Sequence, residues 1–277
     1  MNRIDSHQHF WEYDPVRDDW ITDEMAILQQ NFMPEDLQTE LNRVGMQGCI
    51  AVQADQSEAE TRFLLSLAEQ HDIVRGVVGW LDIRSAEFRE RLDHYASNST
   101  LKGLRHLVQD EENNDFLLQP DFLKGIEILG SYDMTYDILI FAHQLPAAVS
   151  FAGRFPDQTF VLDHLAKPLI KAQRIDDWEA GIRDLAQHPQ MYCKLSGMVT
   201  EADWGNWSAA DFKPYLDVVF DAFGTDRLMF GSDWPVCLLA AEYEEVFDLV
   251  QEYIEPLSRT EKEQILGGNA MRCYGLN

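Results

Sequence analysis

Residues 3–9, Arg-Ile-Asp-Ser-His-Gln-His, begin as a strand-like run over 3–7 and end in two histidines. Side chains two positions apart on a β-strand point to the same side, so His7 and His9 are expected to face the same way. Imidazoles paired in this manner bind zinc, or donate to and polarise a substrate oxygen. A His-x-His pair alone is a weak signal, and its meaning depends on the fold around it.

Seven more runs rich in Val, Ile, Leu and aromatic residues follow along the chain. Most are continuous apolar segments, which is typical of parallel strands whose outer faces are covered by helices. The eight predicted strands are residues 3–7, 49–53, 74–83, 101–107, 136–142, 159–164, 191–195 and 227–231.

Helical segments separate these strands. Pro34 stands in the first turn of one helix and Gly45 just beyond its end, and Ser57 with Glu60 forms a capping box for the next. The predicted helices are residues 34–44, a helix from 57, 88–95, 122–129, 147–155, 178–186, 214–223, 243–254 and a last helix from 258. This alternation predicts an α/β fold, a single (β/α)8 TIM barrel over residues 1–277, with the active site at the carboxyl ends of the strands. An open doubly wound sheet and a division into two smaller domains are the alternatives.

Charge and composition exclude several classes of protein. The 277 residues carry 22 basic and 48 acidic side chains, a net charge of −26, which argues against nucleic acid and against a polybasic membrane anchor as partners. No apolar run is long enough to span a membrane. The four cysteines lack CxxC spacing, and the chain opens directly into Arg3 without a signal-type apolar segment, so the cytoplasm is the expected location.

The second chemical signal is Gly231-Ser232-Asp233-Trp234-Pro235, at the end of the last predicted strand. Closing a barrel makes strand eight the neighbour of strand one, which brings Asp233 beside His7 and His9. The alternative role for Asp233 is to cap the following helix.

Other strand ends also carry polar side chains. His164 ends strand six, His143 ends strand five, and Arg105 with His106 ends strand four. A single histidine in such a place is usually structural, but several on one face predict an active site. Lys194, inside strand seven, has a buried ion pair as its alternative role.

Taken together, six segments resemble the amidohydrolase superfamily of the amidohydrolase 2 type. Within it, the match is to the lactonase branch that contains L-fuconolactonases and L-rhamnonolactonases. The matching segments keep the family order over nearly the whole chain, and they are residues 4–11, 102–106, 162–168, 193–197, 231–235 and 268–274.

The chain departs from the binuclear members of the superfamily at strand four. Those members place a bridging Lys or Glu at its end, where this chain has Arg105-His106. Because an arginine cannot bridge two cations, we expect at most one zinc-like divalent ion, held by His7, His9 and Asp233, or none. The resemblance implies that some lactonases of this branch work without metal, using Arg and His as electrophiles.

The expected reaction is hydrolysis of a sugar-derived lactone, such as a fucono- or rhamnono-lactone, to its hydroxy acid. Asp233 would activate water, and His164 and Arg105 would stabilise the developing oxyanion. The predicted substrate-binding residues are Trp11, Trp80, His143, Lys167 and Trp234, with the long segments 11–33 and 199–211 as lids or pocket walls. The alternatives are a metal-dependent hydrolase or decarboxylase acting on another small carboxylate or lactone, and a silent ligand-binding barrel. A small lactone is the expected binding partner. The sequence does not decide whether the chain forms a homo-oligomer.

Overall fold

In the computed structural model, which describes residues 3–276, eight parallel strands follow one another around a barrel in chain order. The strands are β1 (Ile4–Gln8), β2 (Gly48–Val52), β3 (Val74–Gly79), β4 (Leu101–His106), β5 (Thr135–Ile138), β6 (Phe160–Leu162), β7 (Met191–Leu195) and β8 (Leu228–Phe230). Helices cover the outside, which confirms the predicted (β/α)8 barrel. None of the helices within residues 3–276 is both long and apolar enough to cross a membrane.

Ten α-helices accompany the strands in this part of the chain. They are α1 (Pro34–Val44), α2 (Glu58–Gln70), α3 (Phe88–Ala96), α4 (Pro120–Leu129), α5 (Leu145–Ala152), α6 (Asp176–Leu185), α7 (Ala209–Phe223), α8 (Tyr243–Tyr253), α9 (Arg259–Glu263) and α10 (Asn269–Cys273). The predicted start of α7 at Pro214 was wrong, because the capping pair of Ser208 and Asp211 begins the helix earlier.

Three strands end at least two residues earlier than the sequence predicted. β3 stops at Gly79 because the hydroxyl of Thr61, on α2, accepts from the backbone N–H of Trp80 at 2.8 Å and donates to its carbonyl at 2.7 Å. Those contacts replace the partners that a neighbouring strand would supply. β5 ends at Ile138, and β6 ends at Leu162 because the chain turns away there into a left-handed conformation.

A buried carboxylate closes the barrel between β8 and β1. Asp5 Oδ1 accepts from the backbone N–H of His7 at 3.1 Å and of Ser232 at 3.0 Å, and Asp5 Oδ2 accepts from the hydroxyl of Tyr243 at 3.0 Å. The backbone N–H of Asp233 donates to the carbonyl of His7 at 2.8 Å. This closure fixes the position of Asp233 relative to the histidine pair.

The inside of the barrel is apolar near its base. Side chains of β1, β2, β3, β6, β7 and β8 form one cluster there. Ala270 of α10 and Tyr274, directly after this helix, also belong to it. A second, larger core lies between the strands and the outer helices. The C-terminal helix therefore plugs the end of the barrel opposite the strand ends that carry the polar residues.

Candidate active site

Four strand ends bring their polar side chains together around one carboxylate oxygen. Oδ1 of Asp233 lies 3.3 Å from Nε2 of His9, 3.7 Å from Nε2 of His7 and 3.9 Å from Nε2 of His164. Arg105 reaches the same group from β4, with its Nη1 3.3 Å from Nε2 of His7. All five residues are buried. The convergence expected from barrel closure is present.

A turn of left-handed backbone presents the β6 residues to this site. His164, Leu165, Ala166 and Lys167 have φ values of 53°, 54°, 57° and 47°. For residues other than glycine this conformation costs roughly 1–2 kcal/mol each, and such strain clusters at functional sites. Because positions three apart on so tight a turn share a side, His164 and Lys167 both border the same cavity.

Two glycines permit the close approach of the imidazoles. Gly197 has φ +62°, and a Cβ on it would lie 2.4 Å from Nδ1 of His164. A Cβ on Gly231 would lie 2.7 Å from Cβ of His7. A larger residue at either position would therefore displace a histidine of the site.

A network of buried ion pairs lies beneath the histidines. Nζ of Lys194 is 2.6 Å from Asp137 Oδ2 and 2.9 Å from Asp163 Oδ1, so this lysine is the buried ion-pair partner that its sequence position allowed. The hydroxyl of Tyr274, from the C-terminal plug, donates to Asp137 at 2.7 Å. The network ties the floor of the site to the base of the barrel.

Arg105 is fixed by this network. Its Nη1 donates to Asp163 Oδ2 at 2.9 Å, and its Nη2 donates to the backbone carbonyl of Gln53. Nδ1 of His7 lies 3.3 Å from Asp163 Oδ1. Nζ of Lys194 lies 3.1 Å from the same nitrogen. We assign the proton of His7 to Nδ1, toward Asp163, so that Nε2 is the acceptor facing Arg105.

Burial sets the protonation states. It lowers the pKa of His7 well below its usual range and that of His164 to about 4, so both imidazoles are neutral at pH 7. For Asp233, burial acts to raise the pKa. The positive charge that His164 and His7 carry once acid protonates them, together with the hydrogen bond to His9, outweighs burial and holds the pKa of Asp233 well below its usual range. Asp233 is therefore an ionised proton acceptor at neutral pH.

The donor set fits one metal ion. Donor atoms of His7, His164 and Asp233 lie within 4.8 Å of one another, and Nε2 of His9 lies 3.2 Å from Nε2 of His7. Zinc bonds of about 2.0–2.2 Å in a tetrahedron place neighbouring ligand atoms roughly 3.4 Å apart. The contact between Nδ1 of His9 and the Val52 carbonyl, at 2.8 Å, is the kind of outer contact that orients a histidine ligand.

A cavity of about 410 Å³ opens above this cluster. Trp11, Lys167, Arg105, His164 and Asp233 line it, together with His9. Both polar and apolar side chains line its wall, which suits a small polyhydroxylated ligand. The remaining lining residues are Arg17, Asp18, Asp19, Trp20, Ala54, Asp55, Gln56, Leu107, Gln109, Asp110, Leu139 and Val236.

Three predicted substrate-binding residues lie outside the lining of this cavity. The indole N–H of Trp80 is directed to Nδ1 of His106, at 3.4 Å. His143 is exposed in a neighbouring depression, and its ring stacks on Phe141 at a centroid distance of 5.9 Å. Trp234 is buried in an aromatic cluster that includes Phe10 and Phe32. Each tryptophan is turned away from the cavity by contacts that the sequence does not reveal.

Sequence reasoning missed other residues of the site. Arg17 belongs to the segment predicted as a lid or wall, but nothing distinguished it from other surface arginines. Asp55 and Gln56 lie three and four residues after the end of β2, and their place just beyond a strand end is the signal that could have found them. Glu201, in the other predicted wall segment, lies 4.0 Å from Nζ of Lys167.

Comparison with known proteins assigns this arrangement to a family. The family model described as "Amidohydrolase" matches residues 4–276. The L-fucono-1,5-lactonase of Burkholderia multivorans is 42% identical over 99% of this chain and 96% of its own length. The L-fucono-1,5-lactonase of Burkholderia ambifaria is 33% identical over the same shares.

The crystal structure of an amidohydrolase from Burkholderia multivorans with bound zinc superposes on the whole of both chains. Its TM-score is 0.97 and its sequence identity is 42%. The zinc is a property of that protein, and the donor set described above shows that this chain has residues able to hold one ion.

Proposed function

This chain is a lactone-hydrolysing member of the amidohydrolase family, and from that premise we propose that it opens an aldonolactone, such as L-fucono-1,5-lactone, to its hydroxy acid. The observation that carries the proposal is the ionised carboxylate of Asp233 at the bottom of the cavity, with Arg105 nearby. A carboxylate and a cation placed in this way are the two groups that ester hydrolysis by water needs.

Asp233 acts as the general base. Its carboxylate accepts a proton from water as the water oxygen attacks the lactone carbonyl carbon. Negative charge then grows on the carbonyl oxygen. Arg105 and His164 stabilise that charge, and Arg105 does so without moving because Asp163 and Gln53 already hold its guanidinium.

At most one zinc-like ion takes part, held by His7, His9 and Asp233 with His164 beside them, and the reaction does not require it. When bound, such an ion would polarise the carbonyl oxygen as a Lewis acid. The fixed positive charge of Arg105 next to His7 disfavours a second cation. For that reason we assign the stabilisation of the oxyanion to the protein's own side chains.

Cavity size and lining support a sugar lactone over a larger or strongly anionic substrate. About 410 Å³ lies near the lower end of the range for small-molecule sites. Carboxylates and amides such as Asp55, Gln56 and Gln109 can bind hydroxyl groups, and Trp11 offers an apolar surface. A dicarboxylate would meet Asp18, Asp19 and Asp110 at the wall.

A panel of lactones tests the proposal. Proton release is followed for 1,5- and 1,4-aldonolactones, for a non-sugar lactone and for an aromatic carboxylate, each with and without a chelator. We expect acidification with one or more 6-deoxy aldonolactones. Release of carbon dioxide from the aromatic carboxylate, without acidification by any lactone, would instead assign the chain to the decarboxylases of the superfamily.

A further inference from the structure

Three cationic side chains other than histidine line the cavity, and they differ in how many of their N–H groups are in use. Nε and Nη2 of Arg17 each bond to Asp18 at 2.7 Å, and Nη2 also donates to the carbonyl of Glu12. Arg105 is held by its two acceptors on the floor. Lys167 makes no side-chain hydrogen bond to any residue in the part of the chain described, so its ammonium group is available to a ligand.

The position of Lys167 is nevertheless fixed. The left-handed turn places it beside His164, and its Nζ lies 4.0 Å from Oε1 of Glu201 and 5.4 Å from the centre of the Phe141 ring. Glu201 is itself half-buried, and its carbonyl accepts from the backbone N–H of Lys171 at 3.0 Å. A carboxylate and an aromatic face thus hold the ammonium group at the wall without occupying its N–H groups.

We propose that Lys167 is a further catalytic residue, which donates a proton to the ring oxygen of the lactone as that oxygen leaves; this inference rests on the proposed lactone hydrolysis. Glu201 is the residue that positions Lys167. Ring opening produces an alkoxide unless a proton is supplied. An arginine cannot release one near neutral pH, whereas a lysine ammonium can. Nε2 of His9 and of His164 face Asp233 Oδ1, on the side of the attacking water.

During ring opening Asp233 takes one proton and Lys167 gives one. The water oxygen bonds to the carbonyl carbon and gives one proton to Asp233. The tetrahedral intermediate then re-forms its carbonyl and breaks the bond to the ring oxygen, which takes a proton from Nζ of Lys167 and leaves as a hydroxyl group. The proton on Asp233 returns through cavity water to the neutral amine of Lys167. One lactone and one water become one hydroxy acid, with both residues restored.

Two kinds of lactone distinguish proton donation from substrate binding. An aldonolactone has an alkoxide leaving oxygen, whereas dihydrocoumarin has a phenolate, which leaves without a proton. We expect Lys167→Met to lower kcat on the aldonolactone by about 10²-fold or more, as loss of a general acid does, with less than about a fivefold change on dihydrocoumarin. Lys167→Arg keeps the charge but not the transferable proton, so it should be impaired in the same pattern.

Matched variants complete the test. Glu201→Gln should lower kcat on the aldonolactone about tenfold with little change in KM, and affect dihydrocoumarin less. Lys171→Met is the control, because this lysine is exposed on the same loop and, among residues 3–276, its ammonium group pairs only with Asp203, at 3.2 Å. Its activity should equal that of the wild type. Thermal melting shows whether each variant is folded.

Four outcomes overturn the inference. The first three are wild-type turnover by Lys167→Arg, less than a threefold loss of kcat in Lys167→Met, and equal losses of kcat on both lactones. The fourth applies where the wild type does not hydrolyse dihydrocoumarin or where Lys167→Met does not fold. In that case the inference is overturned if added ethylammonium does not restore the activity of Lys167→Ala. Rescue by ethylammonium supports the inference. If the wild type hydrolyses no lactone, the proposed function itself fails and this step fails with it, whereas an active wild type with an unimpaired Lys167→Met refutes this step alone.

Discussion

Nη1 of Arg105 lies 3.3 Å from Nε2 of His7, the atom through which this histidine would bind a metal. A neutral imidazole has one lone pair at Nε2, and an arginine N–H and a metal ion compete for it. Arg105 cannot easily withdraw, since Nη1 also donates to Asp163 and Nη2 donates to the carbonyl of Gln53. The barrel therefore has a cation of its own beside a histidine that would be a metal ligand.

The first prediction concerns this guanidinium. Arg105→Met should lower kcat/KM for the aldonolactone by about 10²–10³-fold, the cost of removing an oxyanion donor, and this loss should exceed that of His9→Asn. Steady-state proton release measures both. Arg91→Met, which removes an exposed ion pair with Glu58, serves as the control and should be neutral. Activity of Arg105→Met within fivefold of the wild type would show that the oxyanion is stabilised by another group.

The second prediction concerns metal removal. Because Arg105 supplies a fixed positive charge, activity should survive, at least in part, after incubation with a chelator and removal of metal confirmed by elemental analysis. Complete loss of activity that zinc alone restores would contradict this expectation and favour a metal-dependent mechanism. Arg105→Met should bind zinc more tightly than the wild type, because it frees Nε2 of His7; calorimetry gives the two dissociation constants.

Asp233→Asn is the third prediction. The amide keeps the shape of the carboxylate but cannot accept the proton of water, so kcat should fall by about 10²–10⁴-fold. A melting temperature near that of the wild type would show that the loss is chemical. Near-normal turnover by a folded Asp233→Asn would make Asp233 a structural residue, such as the helix cap that its position before a loop also allowed.

How far the sequence could predict this site depends on what determines each position. Barrel topology brings the strand ends together, so His7, His9, Arg105, His164 and Asp233 could be placed without coordinates. The directions of Trp80 and Trp234 could not, since His106 orients one indole and an aromatic cluster buries the other.

The left-handed turn at residues 164–167 could not be predicted from the sequence either, because it contains no glycine or asparagine to indicate it. The sequence therefore predicted a strand through His164, where the structure has a turn. Backbone strain of this kind is stabilised by the surrounding fold and not by local preference, so a local pattern does not reveal it.

The fourth prediction concerns the space that Gly197 leaves for the imidazole of His164. Gly197→Ala places a Cβ within 2.4 Å of the imidazole and forces an alanine into a left-handed conformation, so both stability and activity should fall. The conformational part alone is about 1–2 kcal/mol. Gly205→Ala, in the same loop, is the control, since a Cβ there meets nothing within 4 Å. Equal melting temperatures and rates for the two variants would show that His164 has space to move.

The fifth prediction concerns Glu60, a buried carboxyl group on α2 beside the active-site wall. Burial raises its pKa from 4.5 to about 7, although the backbone N–H of Ala54 and the charge of Arg17 oppose this, while Asp55 and Asp18 add to it. A carboxyl group whose pKa is raised by folding favours the folded state fully below the unfolded pKa. That contribution is lost as pH rises through about 7.

Glu60→Gln removes this dependence because the amide does not ionise, while its oxygen can still accept from Ala54, as Glu60 does at 3.1 Å. The variant should be more stable than the wild type at pH 8, by up to about 3 kcal/mol at 1.36 kcal/mol per pKa unit. Near pH 4.5 the two proteins should differ little. Urea unfolding at both pH values measures the difference, with exposed Glu69→Gln as the control. A wild type and variant whose free energies of unfolding change in parallel between pH 4.5 and 8 would show that folding does not raise the pKa of Glu60.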